Sequence, residues 1–159
     1  MKKVPTVFLQ SVVVLIGVIA LVILLWFPQT EGRAKDLDLL SIYLDPLIIY
    51  GYAASVAFFI ALYKAFRLLG YIGQNKVFSP ESVLTLKSIK YCAIALGAAI
   101  VMAGIFIKFS HHEDDDPAGF FAMCIVSTFG TAVVATAAAI FQKILQNAVD
   151  LKSENDLTI

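Results

Sequence analysis

The sequence predicts an all-α integral membrane protein: one four-helix bundle, with helices three and four extended into the cytoplasm. Three observations predict it. First, the chain of 159 residues is 60% hydrophobic and 15% charged, against roughly 45–50% and about 25% in soluble domains. A soluble fold of this length could not bury so much apolar surface, and a bilayer removes the need. Second, residues 7–27, 47–63, 91–107 and 118–141 contain no Asp, Glu, Lys or Arg, and a bilayer crossing takes about 20 apolar residues. Third, Asp45-Pro46, Ser79-Pro80-Glu81 and Asp116-Pro117 place a capping side chain and then a proline where helices two, three and four should open.

The elements follow in order. Helix one is expected over about residues 6–27, ended by Pro28. It is expected to stay uncleaved. Its apolar run exceeds the roughly 7–15 residues of a signal core, and Pro28-Gln29-Thr30-Glu31 offers no small-x-small cleavage site. Helix two is expected over about 46–69, closed by Gly70 and Gly73. Its flanking Lys64 and Arg67 have long stems that reach the headgroups. Helix three, about 80–109, begins some ten residues before its uncharged core, an extension of about 15 Å at ~1.5 Å per residue. Helix four, about 117–149, likewise runs past Phe141. Val83, Leu84 and Leu86 on one extension, and Ile144, Leu145, Ala148 and Val149 on the other, predict an antiparallel cytoplasmic pair; the alternative is that both lie in the headgroup layer. Residues 150–159 are expected to form a polar tail.

Charge orients the bundle. Lys2, Lys3, Lys64, Arg67, Lys76, Lys87, Lys90, Lys143 and Lys152 fall on one side, and Arg33, Lys35 and Lys108 on the other. Basic residues are retained in the cytoplasm. Both termini and the loop between helices two and three are therefore expected there, in a bacterial cytoplasmic (inner) membrane. Aromatic residues near helix ends, Trp26, Tyr43, Tyr50, Tyr52, Tyr63, Tyr71 and Tyr91, read as interface belts.

In lipid, helices associate through small residues that let backbones approach. Ala53, Ala57, Ala61 and Ala65 step by four on helix two. Ser127, Thr131, Ala135 and Ala139 do so on helix four, and helix three carries Ala93, Gly97, Ala99, Ala103 and Gly104. Helices two to four should thus form the tight core. Helix one, with only Gly17 and Ala20 among large aliphatics, should be peripheral. A lined cavity or a homo-oligomer seam is the functional alternative for these stripes.

Little chemistry is available to the membrane core. With no charged residue or histidine within the four stretches, a bis-histidine haem is excluded and an ion-coupled transporter is disfavoured. No nucleophile–base pair or phosphate-binding glycine loop can be assembled, so no enzyme and no cofactor are expected. A net charge of zero gives no field for direct nucleic-acid binding. His111, His112, Glu113 and Asp114, followed by two further aspartates, are the candidate metal ligands; the alternative is a solvated acidic turn. Cys92 and Cys124 sit at opposite depths, about 20 Å apart by helical rise, too far for the ~7 Å limit of a disulfide.

Two stretches carry a resemblance. One is Gly73-Gln74-Asn75-Lys76-Val77-Phe78-Ser79-Pro80-Glu81-Ser82-Val83; the other is Leu151-Lys152-Ser153-Glu154-Asn155-Asp156-Leu157-Thr158-Ile159. Together they resemble a bacterial family of small four-helix membrane proteins (domain of unknown function 2975). In that family the loop reads G-x-PFS-x-EN and the chain ends L-x-x-ENDLT plus an aliphatic residue. The sequence departs at Val77, where proline is common, and at Ser82-Val83. Members are often encoded beside a small helix-turn-helix regulator, so the resemblance implies a cytoplasmic DNA-binding partner. Phe78, Ser79, Glu81, Glu154, Asn155, Asp156, Leu157 and Ile159 are the candidate docking residues. The tail would add a strand to the partner or insert its aliphatic ends; the alternative is a solvated terminus. The expected function is a non-enzymatic membrane interaction or regulatory protein, a sensor or anchor. An oligomeric small pore or transporter, or an immunity-type membrane protein, is the alternative.

Overall fold

The computed structural model describes residues 4–30, 38–110 and 118–157. They form five helices: α1 Val4–Thr30, α2 Leu39–Tyr43, α3 Pro46–Gly73, α4 Pro80–Ser110 and α5 Ala118–Leu157. Among the described residues, α1, α3, α4 and α5 are long and apolar enough to cross a bilayer. They are the four expected spans, and the protein is an all-α helical bundle that passes the membrane several times.

The four long helices run antiparallel in sequence order. The main packing is α4 on α5, then α3 on α4, then α1 on α3. Helix one is peripheral, as its large side chains require, and the tight pairing falls where small residues meet. A Cβ on Gly97 would lie 2.7 Å from Thr131 Oγ1, and one on Gly104 would lie 3.7 Å from Cys124 Sγ. Both cysteines are free thiols. Cys124 lies beside Gly104, twelve residues along α4 from Cys92 and hence about 18 Å from it.

Three helix ends differ from expectation. Pro28 does not stop α1 but sits buried inside it. Proline removes the N–H that would bond the carbonyl four residues back, here that of Leu24. The Tyr52 hydroxyl on α3 donates to the Leu24 carbonyl at 3.2 Å and replaces the missing bond. Beside it, the Tyr43 hydroxyl donates to the Leu25 carbonyl at 3.0 Å and accepts from Gln29 Nε2 at 2.7 Å. Tyr43 and Tyr52 therefore clamp the kink-prone turn as well as belonging to the aromatic belt. The short α2, absent from the sequence reading, carries Tyr43 to this position.

Gly70 does not close α3 either. Gly73 is its last residue and Gln74 its C-cap, and the left-handed position that turns the chain falls on Asn75, at φ 57°. Lys76 N–H bonds the Tyr71 carbonyl at 2.9 Å, and Asn75 N–H bonds the Ile72 carbonyl at 3.2 Å. This is a Schellman end with asparagine in the position usually given to glycine. The two glycines admit α1. An added Cβ would meet Thr6 Oγ1 at 3.2 Å from Gly73 and Gln10 Nε2 at 3.5 Å from Gly70. Finally, α5 stays helical through Leu157 rather than giving way to a tail near residue 149. The Asp116-Pro117 cap lies outside the described residues, whereas Asp45 caps α3, its carboxylate accepting from Leu47 N–H at 2.7 Å.

Candidate functional site

Two regions stand out, one at each end of the bundle. At the end shared by the α3–α4 connection and the C-terminus, the start of α4 packs between α3 and the second half of α5. Val83, Leu86, Ile89, Ala138 and Leu145 are buried together, with Ala65, Leu68, Val77 and Val149 packed around them. The expected pair of helix extensions is therefore formed. Leu84 and Ile144, expected in its seam, point outward instead, 60% and 56% exposed.

Polar groups are used up within this core. Ser82 is fully buried; its hydroxyl donates to the Lys76 carbonyl at 3.1 Å and lies 3.3 Å from that of Ser79. The buried Thr85 hydroxyl donates to the Glu81 carbonyl at 2.7 Å. These bonds fix the α3–α4 connection onto the first turns of α4, a rigid corner. Towards the apolar spans, Lys90 Nζ donates to Gln142 Oε1 at 3.0 Å and lies 4.9 Å from the centre of the Tyr91 ring. Charged side chains stop at this level.

The candidate docking residues lie on this corner and beyond it. Phe78 is 58% exposed, Glu81 is exposed and Ser79 is half-buried. On α5 every residue from Asp150 to Asn155 is exposed. With Gly97 opposite Thr131 and Gly104 opposite Cys124, the same antiparallel register sets Pro80 about level with residue 148. Glu154 to Leu157 then overhang the start of α4 by about 9–14 Å of helix. Both resemblance motifs therefore share one end of the molecule. Asp156 and Leu157 lie in the last helical turn, and Ile159 lies outside the described residues. Because α5 is helical to Leu157, an added strand is replaced by a helix as the element on offer.

His111, His112, Glu113 and Asp114 also lie outside the described residues. Among the described residues no group of histidine, cysteine and acidic side chains has the arrangement of a metal site.

At the opposite end, the helices part around an apolar cleft of about 550 Å³. Its walls come from α1 (Ile23, Leu24, Phe27), α3 (Gly51, Ser55, Phe59), α4 (Ala99, Ile100) and α5 (Phe120, Cys124). Tyr50 reaches across its floor, its hydroxyl donating to the Ala99 carbonyl at 2.8 Å. Sequence reading placed Tyr50 and Tyr52 at the membrane surface and offered a lined cavity only as the alternative for the small-residue stripes, of which Ala99, Ala103 and Ser127 do line the cleft. The available signal was Pro28, whose buried helical setting obliges a neighbour to supply a donor.

The fold and this distribution of groups define a multi-pass α-helical membrane protein whose ionisable side chains lie at the membrane faces. The chain belongs to the family described as protein of unknown function (DUF2975), whose pattern matches residues 28–159 and so spans α2 to α5. It is similar to the uncharacterized membrane protein YoaS of Bacillus subtilis (strain 168), at 39% identity over the full length of both chains. No solved structure matches the chain.

Proposed function

We propose that this is a non-enzymatic interaction protein whose well-packed extramembrane corner docks a small cytoplasmic partner, a helix-turn-helix regulator. One observation carries the reading. Among the described residues, most of the buried hydrophobic side chains are those of the corner; Ile42, Ala93, Ile107 and Pro28 are buried elsewhere. The apolar spans themselves bury little. A rigid core outside the lipid, continued by an exposed helical overhang, is suited to present a helix to a groove.

The charge sorting supports an orientation with this corner in the cytoplasm of a bacterial inner membrane. With Cys92 and Cys124 replaced by alanine, Ser153→Cys in intact cells resists a membrane-impermeant maleimide and reacts after permeabilisation. Labelling before permeabilisation refutes the orientation. For docking, the full chain in mild detergent is used to capture a helix-turn-helix regulator of the kind encoded beside genes of this family. The intact protein retains it and a chain lacking residues 150–159 does not. Capture independent of the tail, or no capture, refutes the proposal.

A further inference from the structure

We propose that the apolar cleft seats a single acyl chain of a phospholipid from the surrounding bilayer. Apart from Pro28, its lining falls within the charge-free stretches of α1, α3, α4 and α5, so the cleft lies at hydrocarbon depth. The packing order explains why it exists. Helix α1 leans on α3 and α5 leans on α4, so Ile23 of α1 and Phe120 of α5 face a common space between the two pairs.

Chemistry selects the occupant. Of the four bordering hydroxyls, those of Tyr50, Tyr52 and Ser55 donate to backbone carbonyls, at 2.8, 3.2 and 2.7 Å, and Ser127 supplies the fourth. Among the described residues no buried side-chain polar atom lacks a partner. Water needs two to four polar partners and finds few here. An empty space of this size would cost its lining their dispersion contacts. A helix of a second copy, roughly 10 Å wide, would fill about 400 Å³ per turn, so the cleft would take little more than one turn. A slender chain without hydrogen-bonding groups fits, and the bilayer supplies it at high local concentration. The volume lies within the roughly 300–1,000 Å³ of ligand sites.

Gly51 provides the test, because it lines the cleft and an added Cβ there would meet nothing within 4 Å. Gly51→Leu therefore starts from open space at its Cβ and extends a side chain from the cleft wall, and leucine is the better helix former. The probe is phosphatidylglycerol with 9,10-dibromostearoyl chains, added to the detergent-purified full chain. A cleft reporter is made by Trp26→Phe with Phe120→Trp. The natural Trp26, the sole tryptophan and 65% exposed, reports ordinary lipid contact.

The expected result is quenching of the cleft reporter that saturates at one lipid per protein, at a concentration several-fold below that for Trp26. Gly51→Leu should raise the half-saturation point at least tenfold while leaving the Trp26 response unchanged; Gly51→Ala should fall between. Helical circular dichroism monitors folding. If Gly51→Leu fails to fold, the comparison of the two reporters and Gly51→Ala still decide. Equal, non-saturating responses of both reporters overturn the proposal. So does a cleft reporter shielded from the probe by dimerisation, detected by crosslinking.

Discussion

Gly97 on α4 lies directly against Thr131 on α5, and the pair makes a quantitative test of how this bundle is held. Gly97→Ala places a Cβ 2.7 Å from Thr131 Oγ1 and 3.5 Å from Thr131 Cβ. Carbon and oxygen do not approach that closely, so something must shift. The hydroxyl is held in place by its bond to the Thr128 carbonyl at 2.8 Å. Overpacking of this kind costs about 1–3 kcal/mol. Alanine returns up to about 1 kcal/mol as a better helix former, so Gly97→Ala alone should destabilise by about 0–2 kcal/mol. Thr131→Ala loses a local hydrogen bond, about 0.6 kcal/mol on the scale found within membranes. The double variant removes the clash and keeps the propensity gain. The expected coupling is therefore about 1–3 kcal/mol, favourable to the double variant. The assay is a double-mutant cycle of unfolding free energies, measured by titration from mild detergent into dodecyl sulfate. Additivity within about 0.5 kcal/mol would refute the claim that α4 and α5 meet at this point.

Three further outcomes are expected. Tyr52→Phe strands the Leu24 carbonyl opposite Pro28 and should destabilise by about 1–3 kcal/mol. Adding Pro28→Ala, whose N–H restores the helical bond, should recover most of that loss in the same titration. Leu86→Ala empties a position that is 5% exposed and should cost about 2–5 kcal/mol, whereas Leu84→Ala, two residues away on the outward face, should stay within about 0.5 kcal/mol. Truncation after Asp150 removes residues that are exposed as far as Asn155, so the thermal midpoint in detergent should stay within a few degrees.

What was legible in the sequence was written in kinds of residue. Runs without charge gave the four spans, and Asp45-Pro46 gave the start of α3, because solvation and capping act locally. The amphipathic extensions were legible for the same reason: Val83, Leu86, Leu145 and Val149 repeat at helical spacing. Leu84 and Ile144 were misplaced because periodicity fixes a face only to within a residue's rotation, and the partner helix settles the angle. The docking residues were recognised by resemblance, and only the register of α4 against α5 set them at one end.

Pro28, Gly70 and Gly73 mark the boundary of the method. Taken alone, proline ends a helix and glycine caps one. Here Tyr52 supplies the bond that Pro28 lacks, and the glycines make room for Thr6 and Gln10. The short α2 and the cleft are further from view, since both depend on which helices lie side by side. The sequence by itself determined that the chain must live in a bilayer, with how many spans and with its ionisable groups at the faces, because transfer of each segment between water and hydrocarbon is settled residue by residue. The tertiary structure alone decided the row-like order of the helices, the buried corner and the open cleft. Those depend on close contact between residues distant in the chain, as when Thr131 meets Gly97, and contact of that kind has no signature in either residue alone.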